Sequence, residues 1–405
     1  YTVYIKYTAQ PEKVSDKGGR TITDTKGLYF INPENNSQGP MRQVWTQGES
    51  ESSSCWFPTI DKPNQKTTQE IEMTVPDSFV TLSNGLLKSS QKKGDLRTDH
   101  WVMDKPHAPY LFFMGAGEFA VVKDTPWRGK VPVEYYVEKE YAPLAKRLFG
   151  NTPEMLTFFS ERFGYDYPWA KYAQIVVRDF VTGAMENTTA VSHSESAYQG
   201  EEYLNDQNYW DYINAHELAH HWFGDLVTAE SWANLTVNES FANYSEYLWI
   251  AHKQGKDAAD YHLLNDTQDY HKRPDDFKKN LVRFDYLLTD DMFDAVSYNK
   301  GGAILHMLRR YLGDAAFFQG ITDYLKAHEY STGEAHQLRL SWEKISGKDL
   351  SWFFDQWYFG HGNPTVKVEK EYNAAKKQLE VKITQLQGED LYFQFPLDID
   401  IYQDN

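Results

Sequence analysis

His216-Glu217-Leu218-Ala219-His220, with Glu239 after a gap of eighteen residues, constrains this chain more than any other feature. Each residue of an α-helix advances about 100°, so His216 and His220 lie about 40° apart and about 6 Å along the axis. Both imidazoles can then reach one metal ion, at roughly 2.0–2.1 Å each. Glu217 sits on the rim of the same face. It is too close in sequence for an easy third ligand but well placed to touch a metal-bound water. The gap to Glu239 leaves room for a loop and the start of a second helix, so the fold must bring two helices face to face. Three protein ligands leave a fourth position open for water, the arrangement of a catalytic zinc shell.

The flanks agree with a buried helix. Asp211-Tyr212-Ile213-Asn214-Ala215 precedes the motif, Trp222-Phe223-Gly224 follows it, and Gly224 is a natural C-terminal stop. Thr236-Val237-Asn238-Glu239 also fits a capping box, in which Glu239 would close a helix N-terminus. Beside the histidine pair the ligand reading is preferred, because zinc needs a third donor.

A length of 405 residues points to two or three domains, and 41% hydrophobic with 16% aromatic content is ample for sizeable cores. The net charge of −17 argues against a nucleic-acid partner and suits a substrate carrying a free amine. A single cysteine, Cys55, excludes an internal disulfide framework and leaves the compartment undecided. No apolar run approaches the ~18 residues needed to span a bilayer. No signal peptide is present, and the chain opens on the strand-like run Val3-Tyr4-Ile5-Lys6-Tyr7. The expectation is a fragment trimmed at its start.

The pattern along the chain predicts an α+β, multidomain fold. Residues 1–122 read as a β domain, with strand-like runs at Glu70-Ile71-Glu72-Met73-Thr74-Val75 and Tyr110-Leu111-Phe112-Phe113-Met114. Turn signals stand at Ser83-Asn84-Gly85 and Lys93-Gly94-Asp95. Residues 123–361 are mixed and then mostly helical. Strands are expected at 131–137 and 173–177, and helices at 141–163, 205–223, 236–252 and 300–312. Residues 362–405 return to β, at 365–369 and 378–383, as the first strands of a larger sandwich cut short at its end.

Other residues carry chemistry less plainly. Gly183-Ala184-Met185-Glu186-Asn187 follows the strand ending at Val177. Its glycine allows close backbone approach, and Glu186 either faces a substrate ammonium or belongs to an ordinary strand-edge turn. Tyr298 could donate a hydrogen bond to an oxyanion near zinc, but nothing local singles it out among 28 tyrosines. Glu49 by itself reads as a solvated loop carboxylate. His221 points about 100° away from the ligand face, and His193 reads as a loop residue.

Taken in order, the segments GAMEN at 183–187, HELAHHWFG at 216–224, NESFANYSEYL at 238–248 and SYNKGG at 297–302 resemble the gluzincin aminopeptidase family, that of aminopeptidase N and leukotriene hydrolase. Residues 45–49, 56–64 and 100–106 look like its N-terminal domain, and 354–357 like the end of its catalytic domain. The resemblance implies a thermolysin-like catalytic domain with one zinc ion on His216, His220 and Glu239. It implies Glu217 as general base and Tyr298 as stabiliser of the tetrahedral intermediate. Glu186 and Glu49 would grip the free amine of a peptide substrate, and Gly183, Ala184 and Met185 would line the bound peptide. Removal of N-terminal residues from peptides is the activity so implied. An endopeptidase, an epoxide hydrolase or a non-catalytic peptide binder are the alternatives. Two positions depart from the family pattern: His221 replaces the usual glutamine and Ser240 the usual glycine. The C-terminal helical domain usual in the family lies outside this sequence.

Overall fold

The computed structural model describes residues 2–14, 21–388 and 391–402. The first part is β-rich. Strands β1 (Leu28–Ile31), β2 (Gln43–Thr46), β4 (Val80–Ser83) and β7 (Met114–Gly117) form an antiparallel sheet ordered β1-β2-β7-β4. Strands β3 (Thr67–Pro76), β5 (Leu86–Lys93) and β6 (Leu96–His107) form a second, ordered β3-β6-β5. Gly94 and Asp95 make the tight turn between β5 and β6, with Gly94 at φ 62°, where a side chain would be strained.

A five-stranded sheet follows, built from β8 (Ala120–Lys123), β9 (Val133–Val137), β10 (Tyr172–Val177), β11 (Ala184–Met185) and β12 (Ala190–Ser194) in the order β11-β12-β10-β9-β8. Strand β10 is parallel to both neighbours, and β11 lies antiparallel to β12 at the sheet's end. Successive residues of a strand face opposite ways. Tyr172 and Val176 therefore join the core beneath the helices, while Ala173, Ile175 and Val177 join Trp45, Leu82, Trp101 and Phe113. Burial on both faces explains why β10 reads as a continuous apolar run.

The rest is mainly helical: α1 (Ala145–Phe149), α2 (Thr152–Phe163), α3 (Glu201–Asp206), α4 (Asp211–Ala219), α5 (Thr236–Lys253), α6 (Lys256–His271), α7 (Gly301–Leu312), α8 (Asp314–His328), α9 (Ala335–Ser346) and α10 (Ser351–Trp357). Helix α5 is the spine, buried at every residue from Thr236 to Ile250, with α4, α6 and α7 packed around it. Two short parallel strands, β13 (Val227–Ala229) and β14 (Ser331–Gly333), tie the loop after α4 to the helical part. Strands β15 (Val366–Asn373) and β16 (Gln378–Gln385) form a lone, largely exposed hairpin.

Several local expectations fail for identifiable reasons. Val3-Tyr4-Ile5-Lys6-Tyr7 forms no strand, because no strand among the described residues pairs with it, and its apolar side chains stay exposed. Tyr110 to Met114 is not one strand. Pro109 opens a 3-10 turn over Pro109–Leu111, and β7 starts only at Met114. The helix expected over 141–163 is broken by a 3-10 stretch carrying Pro143 and by Gly150, and it restarts where Pro153 sits in the first turn of α2. The helix expected over 205–223 divides into α3 and α4. His220 stands just past α4 but keeps helical φ and ψ of −56° and −26°, so the two histidines remain one turn apart. His193 is not in a loop. It is buried in β12, with Nε2 3.0 Å from Gln174 Oε1, and Nδ1 accepts from Trp210 Nε1 at 3.1 Å.

The glycines at the start of α7 set how closely that helix approaches the spine. A Cβ on Gly301 would lie 1.9 Å from Ser240 Oγ, and one on Gly302 would lie 2.1 Å from Asn243 Oδ1. Ser240 Oγ in turn donates to the Ser297 carbonyl at 2.7 Å, so the serine found where glycine is usual ties α5 to the turn before α7. Overpacking of about 1–3 kcal/mol should outweigh the ~0.5–1 kcal/mol by which alanine favours a helix interior over glycine. Gly301→Ala should thus lower the thermal midpoint. In a Ser240→Gly background the same change should become neutral or stabilising. An unchanged midpoint for Gly301→Ala alone would refute the tight contact.

Candidate active site

Helix α4 presents His216 and His220 to the first turn of α5, which carries Glu239. The two rings lie 4.8 Å apart at 69°. Glu239 Oε2 lies 3.4 Å from Nε2 of His216 and 3.4 Å from Nε2 of His220, yet it has no hydrogen-bond partner. Edges of about 3.4 Å between ligand atoms are what a tetrahedral ion with bonds of about 2.0–2.1 Å requires. The three residues thus fit a divalent metal. Glu239 does not serve as a helix cap. Its N–H bonds the Leu235 carbonyl within the ordinary helical ladder, and its side chain is turned to the histidines.

The outer ring nitrogens are anchored. His216 Nδ1 donates to Glu246 Oε1 at 2.7 Å, and His220 Nδ1 donates to the Phe223 carbonyl at 2.9 Å. Such partners fix the tautomer and aim Nε2 inward. Glu246 was not singled out by the sequence reading, though it lies seven residues after Glu239, two turns along the same face of α5. His221 is not among the residues whose ligand-type atoms converge here. Fully buried, it is held down to about 3 by burial. It accepts from the Thr189 N–H at 3.1 Å and bonds the Glu217 carbonyl at 3.2 Å, tying α4 to the strand behind it.

Three further carboxylates converge here. Glu217, Glu186 and His220 carry ligand-type atoms within 4.8 Å of one another, and so do Glu49, Glu186 and Glu239. Burial pushes Glu217 up to about 8, against the pull of His216 and His220. Burial, followed by the charge of Glu186, raises Glu49 well above the usual carboxylate range, and burial also raises Glu186. Glu239 moves the other way. Burial opposes its charge, but His220 and His216 draw it down to about 2. The imidazoles respond in kind: burial disfavours their protonation, but the carboxylates outweigh it, raising His220 to about 9 and His216 well above its usual value.

The tyrosine turn closes the site. The Tyr298 ring lies parallel to that of His216, 6.0 Å away at 9°, on a π-helical turn over Val296–Lys300. Burial and then Glu239 raise its hydroxyl well above the usual range, so it stays a hydrogen-bond donor. Met185 is buried beside Gln47, whose Nε2 contacts its sulfur at 3.1 Å, while Ala184 of β11 is half-buried and Gly183, just before the strand, is exposed. The outer edge of β11 is unpaired among the described residues. Glu49 lies in the loop after β2, 6% exposed, with Oε1 unpartnered. Tyr110, which no sequence signal marked, joins the parts: its hydroxyl accepts from Asn238 Nδ2 at 3.1 Å and reaches Glu186 Oε1 at 3.4 Å.

Comparison with known proteins agrees with this arrangement. Residues 148–357 match the Peptidase family M1 domain, and residues 6–111 match the Peptidase M1 N-terminal domain. Aminopeptidase M1 of Arabidopsis thaliana is 31% identical over 356 residues, 85% of this chain and 40% of that protein. Glutamyl aminopeptidase of Rattus norvegicus is 28% identical over 334 residues, 80% of this chain and 35% of that protein. Aminopeptidase 2 of Candida albicans is 29% identical over 405 residues, 95% of this chain and 40% of that protein. The chain thus spans less than half the length of these curated relatives. With more than half of its residues matched by the family's domain, and the two histidines and glutamate of its motif facing one another, the chain belongs to peptidase family M1.

Proposed function

We propose that this chain carries a zinc-dependent aminopeptidase centre, which removes the N-terminal residue from peptides with a free amine. We assign the centre to a thermolysin-like domain over 123–361, between a β domain at 1–122 and the first strands of a sandwich at 362–405. The observation that carries the reading is the pair of 3.4 Å separations from Glu239 to both histidines, with two more buried carboxylates, Glu49 and Glu186, alongside. Held by His216, His220 and Glu239, one zinc ion supplies Lewis acidity that polarises a carbonyl and brings the pKa of water toward neutrality. Glu217 takes the proton of the attacking water and passes it to the leaving amine. With a carboxylate oxygen within 4.8 Å of a ligand atom of His220, Glu217 is placed for both halves of that transfer. The Tyr298 hydroxyl donates to the oxygen that gains charge as the carbonyl becomes tetrahedral.

Glu49 and Glu186 explain why the substrate would be cut at its end. Burial drives these two carboxyls toward the neutral form, and a peptide ammonium placed between them would hold them ionised. The free edge of β11 at Ala184 and Met185 offers backbone groups to an extended peptide, with Gly183 leaving room for it. The same aminopeptidase names stand on the relatives, which supports the reading.

Three outcomes test it. Glu217→Gln should retain about one zinc per chain by metal analysis and lose about 10²–10⁴ in kcat on an aminoacyl anilide. Near-native turnover would make Glu217 a bystander. Tyr298→Phe should cost about 10²–10³ in kcat, with KM nearly unchanged because the hydroxyl acts on the transition state. An effect confined to KM would place Tyr298 in substrate binding instead. Finally, of two peptides identical except for N-acetylation, only the free one should be shortened, one residue at a time. A carboxylate left unpaired by the blocked peptide can discriminate by about 10⁴–10⁵. Glu186→Ala should shrink that preference, and equal cleavage of both peptides by the native chain would refute the amine anchor.

A further inference from the structure

A line of polar side chains leaves the outer nitrogen of His216 and returns to the tyrosine turn. Its first member is Glu246, whose Oε1 accepts from His216 Nδ1 at 2.7 Å. The other oxygen, Oε2, lies 3.0 Å from Nε2 of His262 on α6. That contact is off hydrogen-bond alignment and becomes an ion pair when His262 is protonated. One turn further along α6, Asp266 Oδ2 lies 3.8 Å from the same nitrogen. Asp266 then accepts from two asparagines: Asn243 Nδ2 of the spine helix reaches Oδ2 at 3.0 Å, and Asn299 Nδ2 reaches Oδ1 at 3.1 Å. Asn299 follows Tyr298 within the π-helical turn.

Two physical points separate this line from ordinary packing. Helix α6 packs on the core through Ala258, Ala259, Leu263 and Tyr270, and His262 and Asp266 add a half-buried polar pair that faces Glu246 and the asparagines. Half-buried charged groups lose solvation, and an apolar pair would dock the helix at least as well. A π-helical turn is also a wide one that recurs mainly at functional sites. Here Asp294 Oδ1 holds its first N–H groups, those of Val296 and Ser297, at 3.0 and 3.2 Å, and Asp266 holds its far end through Asn299.

We propose that His262 and Asp266 are positioning residues: through Glu246 and Asn299 they set the metal ligand His216 and the oxyanion donor Tyr298 relative to one another. Neither touches substrate. The inference rests on the reading of Tyr298 given above, and its test is built to fail separately from that reading. The first measurement needs no turnover. The chain is loaded with cobalt(II), its visible spectrum recorded, and its affinity measured by competition with a chelator. His262→Ala should weaken cobalt binding by up to about 10-fold, the lower end for direct partners of ligating histidines, since His262 acts through that partner, Glu246, and alter the band intensities. His262→Gln should recover part of both.

The second measurement reads the other end of the line. Asp266→Ala should lower kcat on an aminoacyl anilide about 10-fold with KM unchanged, since groups displaced by a fraction of an ångström lose rate more than binding. Asn299→Ala cuts the same bond from its other end and should give the same loss. Asp266→Asn, which keeps the acceptor oxygen, should restore most of it. In a Tyr298→Phe background Asp266→Ala should cost nothing further, because its effect runs through the missing hydroxyl. An unchanged cobalt spectrum and affinity in His262→Ala would overturn the link to His216. Equal losses from Asp266→Ala with and without the Tyr298 hydroxyl would overturn the link to Tyr298. A native chain that binds cobalt but never cleaves the anilide would refute the aminopeptidase reading, and the cobalt measurement would still decide the role of His262.

Discussion

Everything in this site follows from four glutamates buried together. Glu49, Glu186, Glu217 and Glu239 are each at most 6% exposed. Carboxylates in a medium of low dielectric repel strongly and cannot all stay ionised without cations. The pocket resolves this by dividing them. Glu239, between two imidazoles, stays ionised with its carboxyl down to about 2, while Glu217 is pushed up to about 8 and Glu49 and Glu186 are raised as well. Neighbouring carboxylates whose environments drive them apart in this way take different chemical roles. In the proposed reading two kinds of cation complete this division, a metal at the histidines and a substrate ammonium at Glu49 and Glu186.

Holding such a cluster out of water requires a rigid frame, and α5 supplies it. Apart from Glu239 Oε2, which faces the histidines without a hydrogen bond, its inward polar residues have partners: Asn238 bonds Tyr110, Ser240 bonds the tyrosine turn, Asn243 bonds Asp266 and Glu246 bonds His216. The β-rich first part of the chain is equally part of the site. Lys66 of that part donates to the carbonyls of Asp225 and Leu226, both at 2.9 Å, in the loop that follows His220. Burial pushes its ammonium down to about 7. Glu49 and Tyr110 come from the same part. The proposed amine anchor therefore joins the loop after β2, which carries Glu49, to the segment after β11, which carries Glu186, and its geometry depends on how the two sheets pack.

The approach of His216, His220 and Glu239 was legible because helical periodicity acts over a few residues. Four positions make one turn, and that spacing survives even though α4 ends just before His220. The same local logic read β10 and α5 closely, and it misplaced elements where prolines and glycines broke a run, at Pro109, Pro143 and Gly150. Glu246 was within reach of that logic, two turns after Glu239. Tyr110, Lys66 and Asn299 were not, for their partners lie in distant stretches of chain. Glu49 read as a solvated loop residue until likeness to a family gave it a role, since burial is not a property of neighbouring residues.

The sequence by itself determined the order of elements, the spacing of the zinc-type ligands and the family. Those features are written in local periodicity and in motifs a few residues long. Only the tertiary structure decided which carboxylates share one pocket, which of them are driven toward neutrality, and how Tyr298 comes to lie against His216. Those outcomes depend on burial and on close approaches, such as 3.4 Å from Glu239 to the histidines and 6.0 Å between the Tyr298 and His216 rings, between residues far apart in the chain. Packing alone sets such distances, here through the close approach that Gly301 and Gly302 allow between α7 and α5.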